Sequence, residues 1–271
     1  MFYGCSFIFD NIPSENYNLR ILDFEKRGVE DSSAGSESTI YQTWLYRKPR
    51  PYFYGKSFDT PLTFDLTIGR IDDEITGIDR GFIERWLLGR NTYLPLQICQ
   101  DDISNVYFNV IFTSAQNKYI GKIQRGLTLS AQCDAPYGFE EEKTTSYQVE
   151  GDGVVTNLSF DFDNQSDDTD YLYPTLSFVT NDIGSSISLV NNSDDGRAFE
   201  FGGDGYSPIS PNETITVNNY LQTIVSDSGL RRLSKFNKKW FRLKSGINSL
   251  TLVGGLSSFE ITYKFAKKIG A

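Results

Sequence analysis

Short apolar runs, each closed by a cluster of Asn, Asp, Gly or Ser, fill most of this 271-residue chain. That pattern constrains the fold more than any other feature. Residues 58–68 (FDTPLTFDLTI) put Leu62, Phe64, Leu66 and Ile68 on one face and Thr63, Asp65 and Thr67 on the other. Such period-two alternation fits a half-buried strand. Residues 106–114 and 125–132 follow, rich in β-branched and aromatic side chains. Beyond the middle, strands are expected at 158–162, 175–179, 187–190, 214–217, 221–225, 240–243, 250–253 and 259–265. Turn clusters such as 191–196 and the glycine-rich hairpin loop 202–205 separate them. Many short strands with frequent turns point to a β-sandwich or jelly roll.

Only residues 78–90 have a helical period. Ile78, Phe82, Ile83, Trp86 and Leu87 form one apolar stripe, expected to cover a sheet. Thr76 is placed to cap this helix, Asp79 sits three residues on, and Gly89 marks the stop. The chain therefore reads as mainly β in two parts, 1–140 with the single helix and 141–271 as a sandwich, with the boundary in 134–145. The irregular stretch 28–38 (GVEDSSAGSES) reads as a loop.

The charge pattern excludes several functions. There is no histidine, so Ser-His-Asp and Cys-His catalysis, His-ligated zinc and an imidazole switch are ruled out. A net charge of −9 argues against a nucleic-acid binder that tracks phosphates. The charge is also uneven. From Thr144 to Gly196 there are ten acids and no Lys or Arg, whereas from Gly229 onwards ten cations meet one acid. These stretches are expected either to pair as strands or rims, or to form a solvated surface of mixed sign. Cys5, Cys99 and Cys133 have no CxxC spacing and read as reduced thiols. Neither a secretory signal nor a membrane span is expected, which suggests a soluble protein made in a reducing cytosol.

The acid pairs 72–74, 101–102, 167–170 and 194–195 lie in polar, turn-like contexts, which favour ionised, solvated carboxylates over a glycosidase dyad. No calcium loop, nucleophile elbow or phosphate loop is present. No catalytic, cofactor or metal residue is assigned. Trp240 and Tyr206 are the candidate contact residues, by virtue of their stacking or interface potential.

Several phrases, taken in order, resemble the distal tail (Dit) proteins of siphophages. They begin with Ser6–Ser14 (SFIFDNIPS), Tyr17-Asn18-Leu19, Pro51–Gly55 (PYFYG) and Pro61–Leu66 (PLTFDL). Ile83–Leu87 (IERWL), Tyr93–Leu96 (YLPL) and Cys133–Gly138 (CDAPYG) follow. The second half adds Tyr173–Leu176 (YPTL), Asn212–Val217 (NETITV), Trp240–Leu243 (WFRL) and Ile261-Thr262-Tyr263. The resemblance implies an N-terminal ring-forming domain over 1–140 and a C-terminal galectin-like β-sandwich over 141–271. It implies a homo-hexameric hub of the tail tip or baseplate, docked on the tail tube protein above and the tail-tip (tail-associated) protein below. The outer domains would carry receptor-binding proteins or side fibres, and DNA would pass only as cargo. No cofactor, no membrane and no enzymatic activity are implied, and the location is the distal end of the virion tail after synthesis in the host bacterial cytoplasm. Galectin sugar sites use a His, which this chain lacks. The alternatives are a carbohydrate-binding module using Tyr171, Tyr173, Tyr206 and Trp240, and a wall-degrading hydrolase using the acids of 167–170.

Overall fold

The computed structural model describes residues 6–22, 38–58, 60–101, 103–149, 154–168, 170–181, 186–202 and 209–268. The expected loop 28–38, apart from Ser38, lies outside them, as do Cys5, Asp102, Tyr206 and most of the 202–205 loop. The chain is mainly β and forms two compact units, Met1–Glu140 with Lys267–Ala271, and Glu141–Ala266.

The first unit runs β1 (Ser6–Phe9), β2 (Ile12–Pro13), β3 (Arg20–Ile21), β4 (Thr39–Thr43), β5 (Tyr52–Ser57), β6 (Thr63–Gly69), α1 (Gly77–Leu88), β7 (Leu94–Cys99), β8 (Val106–Ile120), β9 (Ile123–Cys133) and β10 (Gly138–Glu140). Its main sheet has the order β2-β1-β7-β8-β9-β6-β3, with β10 also pairing β8. The backbone of this sheet is the β8–β9 hairpin. β8 runs past the expected Ser114 as far as Ile120, because the ladder to β9 continues through Gln116↔Thr128 and Lys118↔Gly126. The turn closes at Ile120↔Ile123, where Gly121 takes φ +64°, a left-handed value that glycine adopts without strain.

The helix begins where the sequence places it. The Thr76 hydroxyl accepts from Asp79 N–H, and the Asp79 carboxylate accepts from Thr76 N–H, a complete capping box. The Thr76 hydroxyl also donates to the Asp79 carboxylate at 2.9 Å, and this bond, with those from Arg70 and the Thr76 N–H, holds the carboxyl below its ordinary value. Arg70 also donates to the carbonyls of Tyr17 and Glu74, tying the turn before the helix to its N-terminus. Trp86 docks α1 on the sheet. Its ring lies between Phe7 (5.8 Å) and Tyr17 (4.7 Å), and its Nε1–H donates to the Phe9 carbonyl at 3.3 Å. Ile83, Trp86 and Leu87 are buried as expected. Ile78 and Phe82 correct the expected stripe, because they are 75% and 55% exposed. They stand about one turn apart, and three buried side chains already suffice to seat a twelve-residue helix.

The second unit runs β11 (Lys143–Tyr147), β12 (Thr156–Asn164), β13 (Thr175–Thr180), β14 (Ser186–Asn191), β15 (Arg197–Gly202), β16 (Thr214–Asn218), β17 (Thr223–Ser226), β18 (Gly246–Gly254) and β19 (Leu256–Tyr263). A five-stranded sheet, β11-β19-β13-β16-β17, and a four-stranded sheet, β12-β18-β14-β15, share one core. Phe178 of β13 stacks on Phe199 of β15 at 6.0 Å within it. Residues 240–243 correct another expectation. They form no strand, and Leu243 makes only an isolated bridge to Leu172.

Two ion pairs lock this unit. Glu213 and Arg232 have side chains only 1% and 6% exposed, and the guanidinium reaches both carboxylate oxygens. Ser226 Oγ and the Ser210 N–H also donate to Glu213. Asp194 receives the Arg242 guanidinium at 2.7 Å and Lys244 Nζ at 3.3 Å. Burial alone would raise both carboxyls, but the hydrogen bonds from the partner cations outweigh it and leave both below their ordinary values. Removing one partner of a buried pair strands the other charge. Glu213→Gln is therefore expected to destabilise the second unit by about 3–5 kcal/mol in denaturant unfolding, and Trp86→Ala to destabilise the first by about 3–5 kcal/mol. Carboxyls depressed in the fold stabilise it fully above the unfolded value near 4, and that stabilisation is lost as pH falls through the folded value. The urea midpoint of the second unit should therefore drop as pH falls below about 4, and the drop should be smaller in Asp194→Asn.

Candidate assembly interface

β4 and β5 form an antiparallel ribbon that hydrogen bonds to no other strand among the described residues. The register runs from Thr39↔Ser57 to Thr43↔Tyr52 and slips at Tyr41↔Gly55 followed by Gln42↔Phe53, leaving Tyr54 as the extra residue of a bulge. Gly55 sits beside the bulge at φ +145°, a conformation that side chains rarely adopt.

This ribbon departs from the rule that one face of a strand is buried. Every residue of β4 and the first three of β5 are exposed. Tyr41, Trp44, Tyr46, Tyr52, Phe53 and Tyr54 present aromatic rings to water, with Tyr46 88% exposed. Arg47, Lys48, Arg50 and Lys56 accompany them, and residues 39–57 hold no acid. The Arg47 guanidinium lies 5.1 Å from the Tyr46 ring centre. An isolated two-stranded hairpin is marginal in water, and exposed large apolar side chains gathered on one element are a feature of contact surfaces. Aromatic residues and arginine are the side chains that dominate protein interfaces. Sequence reading used Pro51–Gly55 only for the family resemblance and assigned this element no strand or contact role, because its apolar residues follow neither the strand nor the helix period. The legible signal was the run of aromatics on both strands with four cations and no acid.

The sequence-derived candidates lie elsewhere. Trp240 is half-buried, with its ring 4.7 Å from Phe236 and its carbonyl accepting from Arg197. The Arg242 guanidinium covers the Tyr171 ring at 3.7 Å, and Tyr173 lies 6.5 Å from Tyr171. Among the acid pairs, Asp194 is held by two cations, and Asp168 accepts from the Asp170 N–H. Among the described residues no cluster of three or more His, Cys, Asp or Glu is placed to hold a metal ion. No helix among them is long and apolar enough to cross a membrane. The Cys133 thiol is buried and raised to about 12, while Cys99 is exposed and free. A shallow depression of about 400 Å³ on β6, β8 and β9 has Asp65 as its single titratable lining residue, bonded to Ser130 Oγ at 2.9 Å.

Residues 2–135 match the family model described as the phage tail protein N-terminal domain, and residues 137–263 the model described as the phage tail C-terminal domain. The fold is that of the Dit protein (gp 19.1) of phage SPP1, described as a paradigm of the hub adsorption apparatus in phages infecting Gram-positive bacteria. The match has a TM-score of 0.68 at 15% identity and covers 96% of this chain and 98% of that one. A chain of the phage p2 baseplate in its activated conformation is more distant, with a TM-score of 0.48 at 10% identity over 96% and 97% of the two chains. Comparison with curated proteins finds no match. The exposed ribbon makes a direct prediction for the free chain. Trypsin is expected to cut after Arg47, where the next residue is Lys48, and to spare Lys48–Pro49 and Arg50–Pro51. Mass spectrometry of the fragments checks this, with Trp86 fluorescence expected to stay unchanged after the cut.

Proposed function

The chain belongs to the phage tail proteins built from these N- and C-terminal domains, and we propose that it is the structural hub of a tail tip or baseplate. In this reading six copies close a ring through their N-terminal units. The ring joins the tail tube protein to the tail-tip protein, and the C-terminal units, galectin-like β-sandwiches over 141–271, carry receptor-binding or side-fibre components. Its location is the distal end of the virion tail, after synthesis in the host cytoplasm, and DNA passes through the ring as cargo. Its work is assembly rather than catalysis.

The observation that carries this reading is the uncovered β4–β5 ribbon, which places six aromatic rings and four cations in water. A surface of this kind lowers its free energy by being covered, and repeated head-to-tail covering generates a ring when the rotation closes. The acidic balance of the chain suits a DNA conduit, because like charge limits adhesion to the wall. Sugar stacking finds less support, since the face of Tyr171 is already occupied by Arg242.

Native mass spectrometry tests the ring. The expected species is six copies, alone or as stacked rings with the tail-tip protein. The triple variant Trp44→Asp, Tyr46→Asp, Phe53→Asp should give single copies with an unchanged melting curve, because these side chains support no core. A wild-type chain that stays single at high concentration and does not bind the tail-tip protein would overturn the proposal.

A further inference from the structure

We infer that the ribbon of one copy docks on an acidic, apolar face of the next copy, made by the turn 71–74 and the outer side of α1. This assignment rests on the ring reading and names the other half of its contact. The ribbon carries four cations and no acid in a chain of net charge −9, so its complement is an acidic surface. Residues 71–84 (IDDEITGIDRGFIE) hold five acids and one cation, Arg80.

The same stretch exposes apolar side chains where a helix and its leading turn ordinarily bury them. Ile71 is 61% exposed, Ile78 75% and Phe82 55%. Ile78 and Phe82 lie on one side of α1, about one turn apart. An apolar centre with charges at its rim is the usual anatomy of a protein interface, and the ribbon offers the counterpart, aromatic rings edged by Arg47, Lys48 and Arg50.

Not every acid here is available to a partner. Asp79 is committed to the capping box and to Arg70 at 2.9 Å, and Asp73 accepts from the Glu74 N–H. Asp72 and Glu74 are exposed, and Glu84 meets Arg80 only at 3.9 Å. Asp72 and Glu74 would therefore face the incoming ribbon, whereas Glu84, two residues after Phe82, projects from another side of α1. Donor and acceptor are different surfaces of one unit and both stand open in the same molecule, so the contact is heterologous and leaves each docked copy with a free ribbon for its neighbour.

A charge exchange tests the assignment. One variant carries Arg47→Glu, Lys48→Glu and Arg50→Glu, and the other carries Asp72→Lys and Glu74→Lys. Each alone brings like charges together at the contact and should associate at least tenfold more weakly than the wild type. Mixed in equal amounts, the two should recover rings of six in which they alternate, because every contact again pairs opposite charges. Phe82→Ala provides a charge-neutral arm, with at least tenfold weaker association and an unchanged melting curve. If the wild type forms rings but the acid-reversed variant and Phe82→Ala form them equally well, the acceptor is elsewhere and the ring stands. The assignment is also overturned if both variants melt as the wild type does and their mixture stays single. A wild type that never forms rings removes the ring reading and this assignment together.

Discussion

Two apolar cores absorb the large hydrophobic side chains of this chain, one beneath α1 and one between the sheets of the second unit, and the ribbon β4–β5 is covered by neither. Water is a poor environment for such a ribbon. Its two strands pair with no other strand among the described residues, its rings gain nothing by facing solvent, and its four cations have no acid among residues 39–57. The remainder of the first unit is tied together by contacts of its own. Trp86 clamps the helix between Phe7 and Tyr17, Arg70 binds the leading turn to the capping box, and Arg90 pairs with Asp10 at 2.7 Å.

The uneven charge of the sequence acquires a physical meaning in the second unit. Strands from the acid-rich stretch pair directly with strands that follow Gly229. β12 and β14 flank β18, and β11 and β13 flank β19. The clearest electrostatic link between the two stretches is Asp194 with Arg242 and Lys244, where a buried carboxylate from one is neutralised by two cations from the other. The Glu213–Arg232 pair does the same work for the segment between β15 and β18. These pairs, with buried Asn191 bonded to Asn248 and Asn219 bonded to the Pro174 carbonyl, tie the loops to the sheets around them.

Much of this was legible in the sequence. The capping box was readable because Thr76 and Asp79 have the required spacing and chemistry, and about half of the strands because their apolar residues alternate. The misreadings have identifiable causes. Residues 115–120 of β8 lack alternation because neither face is deeply buried, and backbone pairing to β9 alone sustains them. Residues 240–243 look like a strand, yet Phe241 and Leu243 are drawn into the core by an irregular segment whose backbone bonds to Leu172 and to the Asn219 side chain. Ile78 and Phe82 fit a core stripe by spacing, but the sheet beneath α1 takes only three of the five side chains. The aromatic ribbon escaped because periodicity detects surfaces buried within a chain, and this one is exposed on the single chain.

Hydrogen–deuterium exchange on the assembled particle reads that burial directly. Peptides spanning residues 39–57 and 71–84, compared between wild-type rings and the single-copy variant with Trp44, Tyr46 and Phe53 changed to Asp, report which amides become protected on association. Slower exchange is expected in both peptides in the ring, with the β8–β9 amides slow in both states. Exchange in 39–57 that is equally fast in ring and single copy would contradict burial of the ribbon between copies.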